Sequence, residues 1–258
     1  MQFEILYHIP VSLVMLLGLV ILGLVIESGY RYGLTVREAR ASESLLEIIP
    51  TSLMGLLALL IGFTFSMSIA RFDARKMALA QEVNGIETVW YRAGLIASGE
   101  VVPARALLLR YVDHRLRFPK DSASPEEFSF YEAESERLQG ALWLIAQRES
   151  LRDRSAGGAL FADSVNELFD VGTLREFASQ DHVPEIAYFV IFALAMSAIF
   201  ALAYIYGARR HPKGPLFMLA ILLILVLGLI QDLDRPSRGL VRVNGKMMTE
   251  LRDSLGRR

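Results

Sequence analysis

The chain has 258 residues, of which 53% are hydrophobic and 21% are charged, with a net charge of −1 and a mean hydropathy of +0.38. This composition is too apolar for an ordinary soluble domain and too charged for a bundle that lies wholly in lipid. The net charge gives no indication of nucleic-acid binding. The absence of cysteine excludes disulfides and thiolate chemistry. We therefore expect a protein that lies partly in a membrane and partly in water.

Four apolar stretches reach or approach the roughly 20 residues that a helix needs to cross a hydrocarbon core. They cover residues 8–26, 49–70, 183–206 and 215–230. The first has no basic n-region and is longer than a signal-peptide h-region, so we expect a retained span. An even number of spans places both termini on one side of the membrane, together with the segment between spans two and three.

Lys and Arg near the span ends predict the orientation. Arg71, Arg75 and Lys76 follow span two, and further basic residues follow span four, which favours the cytoplasm for the side that holds the termini. Basic residues in the opposing loops, such as Arg31 and Arg209, weaken this bias. We expect the termini and the central segment to be cytoplasmic.

The second apolar stretch continues into charged sequence without a proline, from LMGLLALLIGFTFSMSIARF into DARKMALAQEVNG. This pattern predicts one helix that begins in lipid and ends in an extramembrane domain. A stripe of small residues in this span suits close helix packing. Its members are Gly55, Ala58, Gly62 and Ser66.

A second stripe of the same span carries the bulky residues Leu59, Phe63 and Met67. If several copies of the helix surrounded an axis, these side chains would form an apolar constriction of the kind that gates channels by dewetting. In a single helix such a stripe is more often core or lipid-facing.

Residues 71–181 show helical, amphipathic patterning with breaks near Pro103, Pro119 and Gly157, which predicts about four helices. Ser124 and Glu127 around Pro125 have the spacing of an N-cap and its capping box, so we expect a helix from Pro125 to about Arg152.

Polar residues on the extension of the second helix are expected to be mostly solvated or structural: Arg71, Asp73, Arg75, Lys76, Glu82, Asn84, Glu87 and Arg92. Farther along, Asn166 and Asp170 share one helix face among apolar neighbours. We expect this pair to be buried and to bind another helix of the domain, at Arg92 or Arg110.

The fourth span ends at Asp232 and Asp234, where the helix dipole disfavours acids, and Pro236 stops the helix. We expect compensation by Arg235, Arg238 or a cation, although two carboxylates fall short of the six to eight oxygens of a calcium site. The four histidines have no metal-binding spacing, and no nucleotide-binding loop or nucleophile elbow is present. No cofactor or metal is expected.

The run GFTFSMSIARF resembles the pore helix of bestrophins, which has Gly-Phe and then an Arg followed by an aromatic residue at the separations of Gly62, Phe63 and Arg71. Pro236 and Gly239 are similar to the Asn-Pro-Phe-Gly turn that bestrophins place after span four. The chain looks most like the bacterial bestrophin-like family, a domain of unknown function, along most of its length. The stretches that carry this likeness are RFDARK, EVNGIETVWYRA, VNELFD and LDRPSRGLVRV.

The resemblance implies an all-α membrane protein with four transmembrane helices and a helical cytosolic domain between spans two and three. The expected divisions are residues 1–70 for spans one and two, 71–182 for the domain, 183–231 for spans three and four, and 232–258 for a cytosolic tail. It also implies a ring of subunits, five in bestrophins, with span two lining an ion pathway. Leu59 and Phe63 match two of the three bulky neck positions, and Gly55 occupies the third. The acidic run of the animal calcium clasp is missing, so calcium gating is not expected.

The leading hypothesis is an ion channel that forms a homo-oligomer in the lipid bilayer of a bacterial inner membrane. The alternative is a non-conducting scaffold or signalling protein whose helical domain binds a partner, and the lack of a charge in the middle of any span agrees with it. An enzyme that uses Asp232, Asp234 and Asp73 is the third and least expected possibility.

Overall fold

The computed structural model describes residues 9–35, 43–96, 98–117, 125–152, 156–235 and 245–257. Within these ranges the regular structure is helical, without a strand. The helices are α1 (Val11–Thr35), α2 (Glu43–Arg92), α3 (Ser98–Arg115), α4 (Pro125–Arg152), α5 (Ala156–Gln180), α6 (Glu185–Ala208), α7 (Gly214–Leu233) and α8 (Lys246–Leu255), and a 3-10 turn at Ala93–Leu95 follows α2. Four helical stretches, which include α1, α2, α6 and α7, are long and apolar enough to cross a membrane. The predicted all-α membrane fold is confirmed.

Helix α2 is a single helix of 50 residues, which confirms the predicted continuity of the second span with the sequence after it. Helix α4 has the predicted bounds, Pro125–Arg152, although its expected cap Ser124 lies outside the described residues. The break predicted at SGEVVP, before Pro103, is wrong in position: this stretch is helical from Ser98, and the 3-10 turn at Ala93–Leu95 precedes it. Pro103 is the sixth residue of α3, so its missing N–H removes one intrahelical hydrogen bond, the one to the Gly99 carbonyl.

The chain divides into two compact units. The first contains α1, α2 up to Ala70, α6 and α7, and the second contains α2 from Arg71 together with α3, α4, α5 and α8.

In the first unit, α1 packs against α6 and α7 around a core that includes Leu22, Ile26 and Ile199. Glycines allow the close approach. A Cβ on Gly29 would lie 2.8 Å from the carbonyl oxygen of Phe200, and one on Gly33 would overlap the carbonyl of Tyr204. In a membrane the hydrophobic effect does not drive helices together, because the lipid tails are as apolar as the side chains. Van der Waals contacts between closely packed helices supply the attraction, and small residues permit the close packing.

The second unit has a core drawn from all of its helices, including Ile86, Leu108 and Phe161. Met248 and Leu255 of α8 are each 1% exposed in the same core. This part of the chain was expected to be a cytosolic tail, and α8 was not predicted, although its apolar residues recur at helical spacing.

A Gly33→Ala substitution should destabilise the first unit by about 1–3 kcal/mol, because the added methyl group pushes α1 away from α6. The free energy of unfolding of the purified protein in detergent measures this effect. Gly23→Ala is the matched control in the same helix, since its Cβ would meet Phe217 at an ordinary 3.8 Å. Equal stabilities of the two variants would contradict the glycine contact.

Candidate functional site

One face of α2 is not covered by any other part of the described chain. On this face, Leu59 is 53% exposed and Phe63 is 63% exposed, and a Cβ on Gly55 would meet nothing within 4 Å. The opposite face is packed, with Leu57 only 1% exposed against Ile191 of α6. The structure therefore places the three predicted neck residues together on one uncovered side of the helix, which we call the open face.

The stripe of small residues also lies on the open face. Gly55, Ala58, Gly62 and Ser66 are all exposed, so no described helix of the same chain packs against them. The stripe leaves room for a neighbour from outside the chain.

The open face continues towards the water-exposed end of α2. Leu59, Ser66 and Asp73 follow one another at steps of seven residues, or about two helical turns, and all three are exposed. Asn84 is exposed as well. The side chains along this face change from apolar to polar where the hydrophobic sequence ends.

The packed side of the α2 extension carries cations from the group that was expected to be mostly solvated or structural, and the structure gives them structural roles. Arg75 is 4% exposed and donates from Nε to the Ala178 carbonyl (2.9 Å) and from Nη2 to the Asp181 carbonyl (2.6 Å). Arg71 donates to the Asp181 carboxylate at 3.1 Å. The last carbonyls of α5 have no partner within their own helix, so these arginines cap it.

Glu82 is the centre of a buried ionic cluster in the second unit. Its side chain is fully buried, with Oε1 2.5 Å from Arg115 Nε and Oε2 2.5 Å from Arg175 Nη1. The Tyr111 hydroxyl donates to Oε1 at 3.1 Å. Arg115, also fully buried, contacts Glu176 at 2.5 Å. A buried carboxylate is costly unless it is paired and hydrogen-bonded, and here helices α3 and α5 supply the partners of a carboxylate on α2.

The two tyrosines of this region stay neutral at physiological pH. Burial raises the pKa of Tyr111 well above its ordinary value, and the charge of Glu82 adds to the effect. Burial also raises the pKa of Tyr131 to about 12, against the opposing effect of Arg115. Burial alone would lower the pKa of Arg115, but its interactions with Tyr111 and Glu82 raise it overall. Tyr111 and Tyr131 therefore stay neutral and Arg115 stays charged over the physiological range.

The partners of Glu82 were not predicted from the sequence. A signal was present in α3, where the buried residues Ala104, Leu108, Tyr111 and Arg115 recur at spacings of four and three. A charged residue in such a stripe indicates a buried ion pair, because it must share the environment of its apolar neighbours.

The expectation of a buried Asn166 and Asp170 pair is wrong. Both residues are exposed, because the buried stripe of α5 runs through Phe161, Val165 and Leu168 and turns the intervening positions outward. Arg92 does contact α5, but through the Leu160 carbonyl at 2.9 Å and the Asp163 carboxylate at 3.2 Å.

At the end of α7, Asp234 is fully buried and its Oδ2 accepts a hydrogen bond from the Val183 backbone N–H at 2.9 Å. This contact places the acid next to the start of α6, where the helix dipole favours negative charge. Arg235 donates to the Ile9 carbonyl at 2.7 Å. Pro236 and Gly239 lie outside the described residues. In the ranges that the structure describes, no three His, Asp or Glu side chains are grouped to hold a metal ion.

The order of these helices and the long α2 can be compared with known families. The model of the Bestrophin-like domain matches residues 17–247. The chain belongs to this bestrophin-like family. The resemblance carried by GFTFSMSIARF and the other stretches is thereby confirmed. Among curated proteins, no sequence matches significantly.

Solved structures share the fold of this family member. Three crystal structures of variants of a bacterial bestrophin homologue from Klebsiella pneumoniae illustrate the likeness. The first has a TM-score of 0.66 at 15% identity and covers 94% of this chain and 96% of that chain. The second has a TM-score of 0.65 at 17% identity and covers 94% of this chain and 96% of that chain. The third has a TM-score of 0.65 at 16% identity and covers 95% of each chain. At such identities the similarity is one of fold.

An Arg115→Met substitution should destabilise the second unit by about 3–5 kcal/mol, because it leaves Glu82 buried with one cation fewer. Thermal unfolding followed by circular dichroism measures the loss. Arg137→Met is the matched control, since Arg137 pairs with Glu134 on the exposed surface of α4. If Arg115→Met destabilised the protein no more than Arg137→Met, the burial of Glu82 would not depend on its ion pair with Arg115.

The stability of the second unit should depend on pH because of His114. His114 stacks on Tyr131 with ring centroids 4.1 Å apart, and burial, assisted by the charge of Arg115, lowers its pKa below the ordinary 6.5. Below about pH 6.5 the His114 of the unfolded chain binds a proton more readily than the His114 of the folded protein. The free energy of unfolding therefore falls as the pH is lowered through this range. His114→Gln should flatten the dependence of the unfolding midpoint on pH between 7 and 5. An unchanged slope would contradict this assignment.

Proposed function

We propose that the protein is an ion channel whose subunits assemble around an axis lined by the open face of α2. The observation that carries this proposal is the open face itself, on which Leu59 and Phe63 stay uncovered while the opposite side of the helix is packed. Membership of the bestrophin-like family supports the same function.

Leu59 and Phe63 form the narrowest part of the proposed pathway. They lie one turn apart, so a ring of subunits would stack two apolar layers. Gly55, in the third neck position, adds no side chain and leaves that end of the constriction wide. An apolar constriction of two layers gates by excluding water when it is narrow.

The proposed assembly is a homo-oligomer, with five subunits as in bestrophins. Its interfaces would use the small residues of α2, since the space around Gly62 admits the backbone of a neighbouring helix. The proposed location is a bacterial inner membrane with the termini and the second unit in the cytoplasm, on the evidence of the basic residues after span two. The function does not require an enzymatic step, a cofactor or a nucleic acid.

A second candidate function is a non-conducting scaffold whose second unit binds a protein partner. It is favoured by large apolar side chains that are uncovered outside the membrane-spanning stretches. Phe130 is 77% exposed and Leu151 is 78% exposed, both on α4. The two side chains lie about 30 Å apart along α4 at 1.5 Å per residue, so each would be a separate contact with a partner.

Ion flux into liposomes tests the proposal. The purified protein should pass small ions from a panel of anions and cations, and Phe63→Ala should raise the flux several-fold because it widens one apolar layer. Phe217→Ala is the matched control, since Phe217 is an exposed phenylalanine of α7 and not of the open face.

The outcomes separate the two candidates. Flux that changes with Phe63→Ala and not with Phe217→Ala supports a channel with this constriction. Flux that both variants leave unaltered would keep the channel and remove Phe63 from its constriction. An ordered oligomer that passes no ion in any condition would favour the scaffold, and Phe130→Ser should then weaken its partner binding.

A further inference from the structure

A cavity of about 310 Å³ lies inside the first unit, among α1, α6 and α7. It belongs neither to the open face of α2 nor to the ionic cluster. Its walls are almost wholly apolar, with Val14, Ile21, Phe192 and Ile224 among the lining residues. Its rim includes Leu17, which is 52% exposed, and Phe189, which is 68% exposed. The cavity is therefore open to the outside of the chain.

The polar groups of the cavity are gathered at one end. Ile9 lies just before α1, Tyr188 lies in the first turn of α6, and Gln231 lies in the last turn of α7. These three positions are the ends of the helices on the same side of the membrane stretch. The Ile9 carbonyl is held by Arg235 at 2.7 Å.

The other end of the cavity is entirely hydrocarbon in character. From Gln231 to Ile224, α7 rises roughly 10 Å at 1.5 Å per residue. One leaflet of a hydrocarbon core is about 15 Å thick, so the cavity begins at the polar edge and ends within a single leaflet.

Water is a poor occupant of this space. A water molecule needs two to four polar partners, and apolar cavities of even about 150 Å³ stay dry. The surroundings of these helices are lipid, since α1, α6 and α7 are among the membrane-spanning stretches. An apolar space that extends about 10 Å along α7 from a polar end matches one acyl chain joined to a polar headgroup.

We propose that this cavity binds one acyl chain of a phospholipid from the leaflet on the side of the chain termini, with the headgroup region at Tyr188 and Gln231. The lipid fills the space among α1, α6 and α7 and so completes the packing of the first unit. The proposal does not depend on ion conduction.

Native mass spectrometry of the intact oligomer tests the site. The protein is reconstituted in a mixture of phosphatidylethanolamine and phosphatidylglycerol, extracted, and washed with detergent until bulk lipid is removed. Wild type should retain one phospholipid per subunit. Val14→Phe should reduce the retained lipid at least tenfold, because the ring occupies the space of the chain.

Leu24→Phe is the matched control, since Leu24 is exposed on α1 and does not line the cavity. It should retain lipid like wild type. A substitution at Gly18 would be unsuitable, because its Cβ would lie 2.7 Å from Ile224 Cδ1 and disturb the helix packing itself. Selective retention of one headgroup over the other would locate recognition at the polar end, and equal retention would locate it in the acyl chain, both in support of the site.

A second measurement uses the unmodified protein, in case Val14→Phe does not fold. A phospholipid with a photoreactive group in its acyl chain should label Met15, Ile21 or Phe192, and fragmentation of the labelled peptides assigns the label to single residues. Labelling confined to outward residues such as Leu24 would overturn the proposal. It would also be overturned if the washed oligomer held no lipid while dissociated subunits bound it, since a second copy would then occupy the cavity.

Discussion

The buried contact between Glu82 and Arg115 is the constraint on which the second unit depends. Two fully buried charges are tolerable only when their partners are in place, so α2, α3 and α5 must meet with little freedom. The contact also sets the rotation of α2. Asn84 lies about 200° further around the helix than Glu82 and is exposed, because a helix with one face anchored must turn the opposite face outward. Arg75 adds a second anchor nearer to the membrane stretch.

The packing of the first unit depends on different forces, because its surroundings are lipid and not water. Exposed leucines and phenylalanines are ordinary there, and exposure alone identifies no site. Helix approach is governed by small residues, as the contacts of Gly29 and Gly33 with α6 illustrate. Against this background two features stand apart, namely the uncovered small residues of α2 and the cavity beside α1. The described helices of the chain fill neither space, and the proposed occupants are a neighbouring subunit and a phospholipid.

A single long helix connects these features with the proposed function. In the proposed channel, the membrane part of α2 supplies the apolar constriction and its extension supplies polar side chains such as Asp73 to the same path. The anchors at Arg75 and Glu82 lie on the other side of the helix, so the stability of the second unit and the lining of the pathway use separate side chains. Substitutions on one side can therefore be tested without removing the contacts of the other.

The sequence by itself determined the long α2, the bounds of α4, the apolar spans and the family, because periodicity, capping residues and short motifs are local properties of the chain. It did not determine which polar residues are buried. Glu82 was expected among solvated or structural side chains and Asn166 was expected to be buried, yet the structure places Glu82 in the core and Asn166 at the surface. The partners of Glu82 stand 29 to 93 residues away. Helix α8 joins the core by packing against α3, which is far from it in sequence. Such burial depends on the approach of distant helices, and only the tertiary structure decided it.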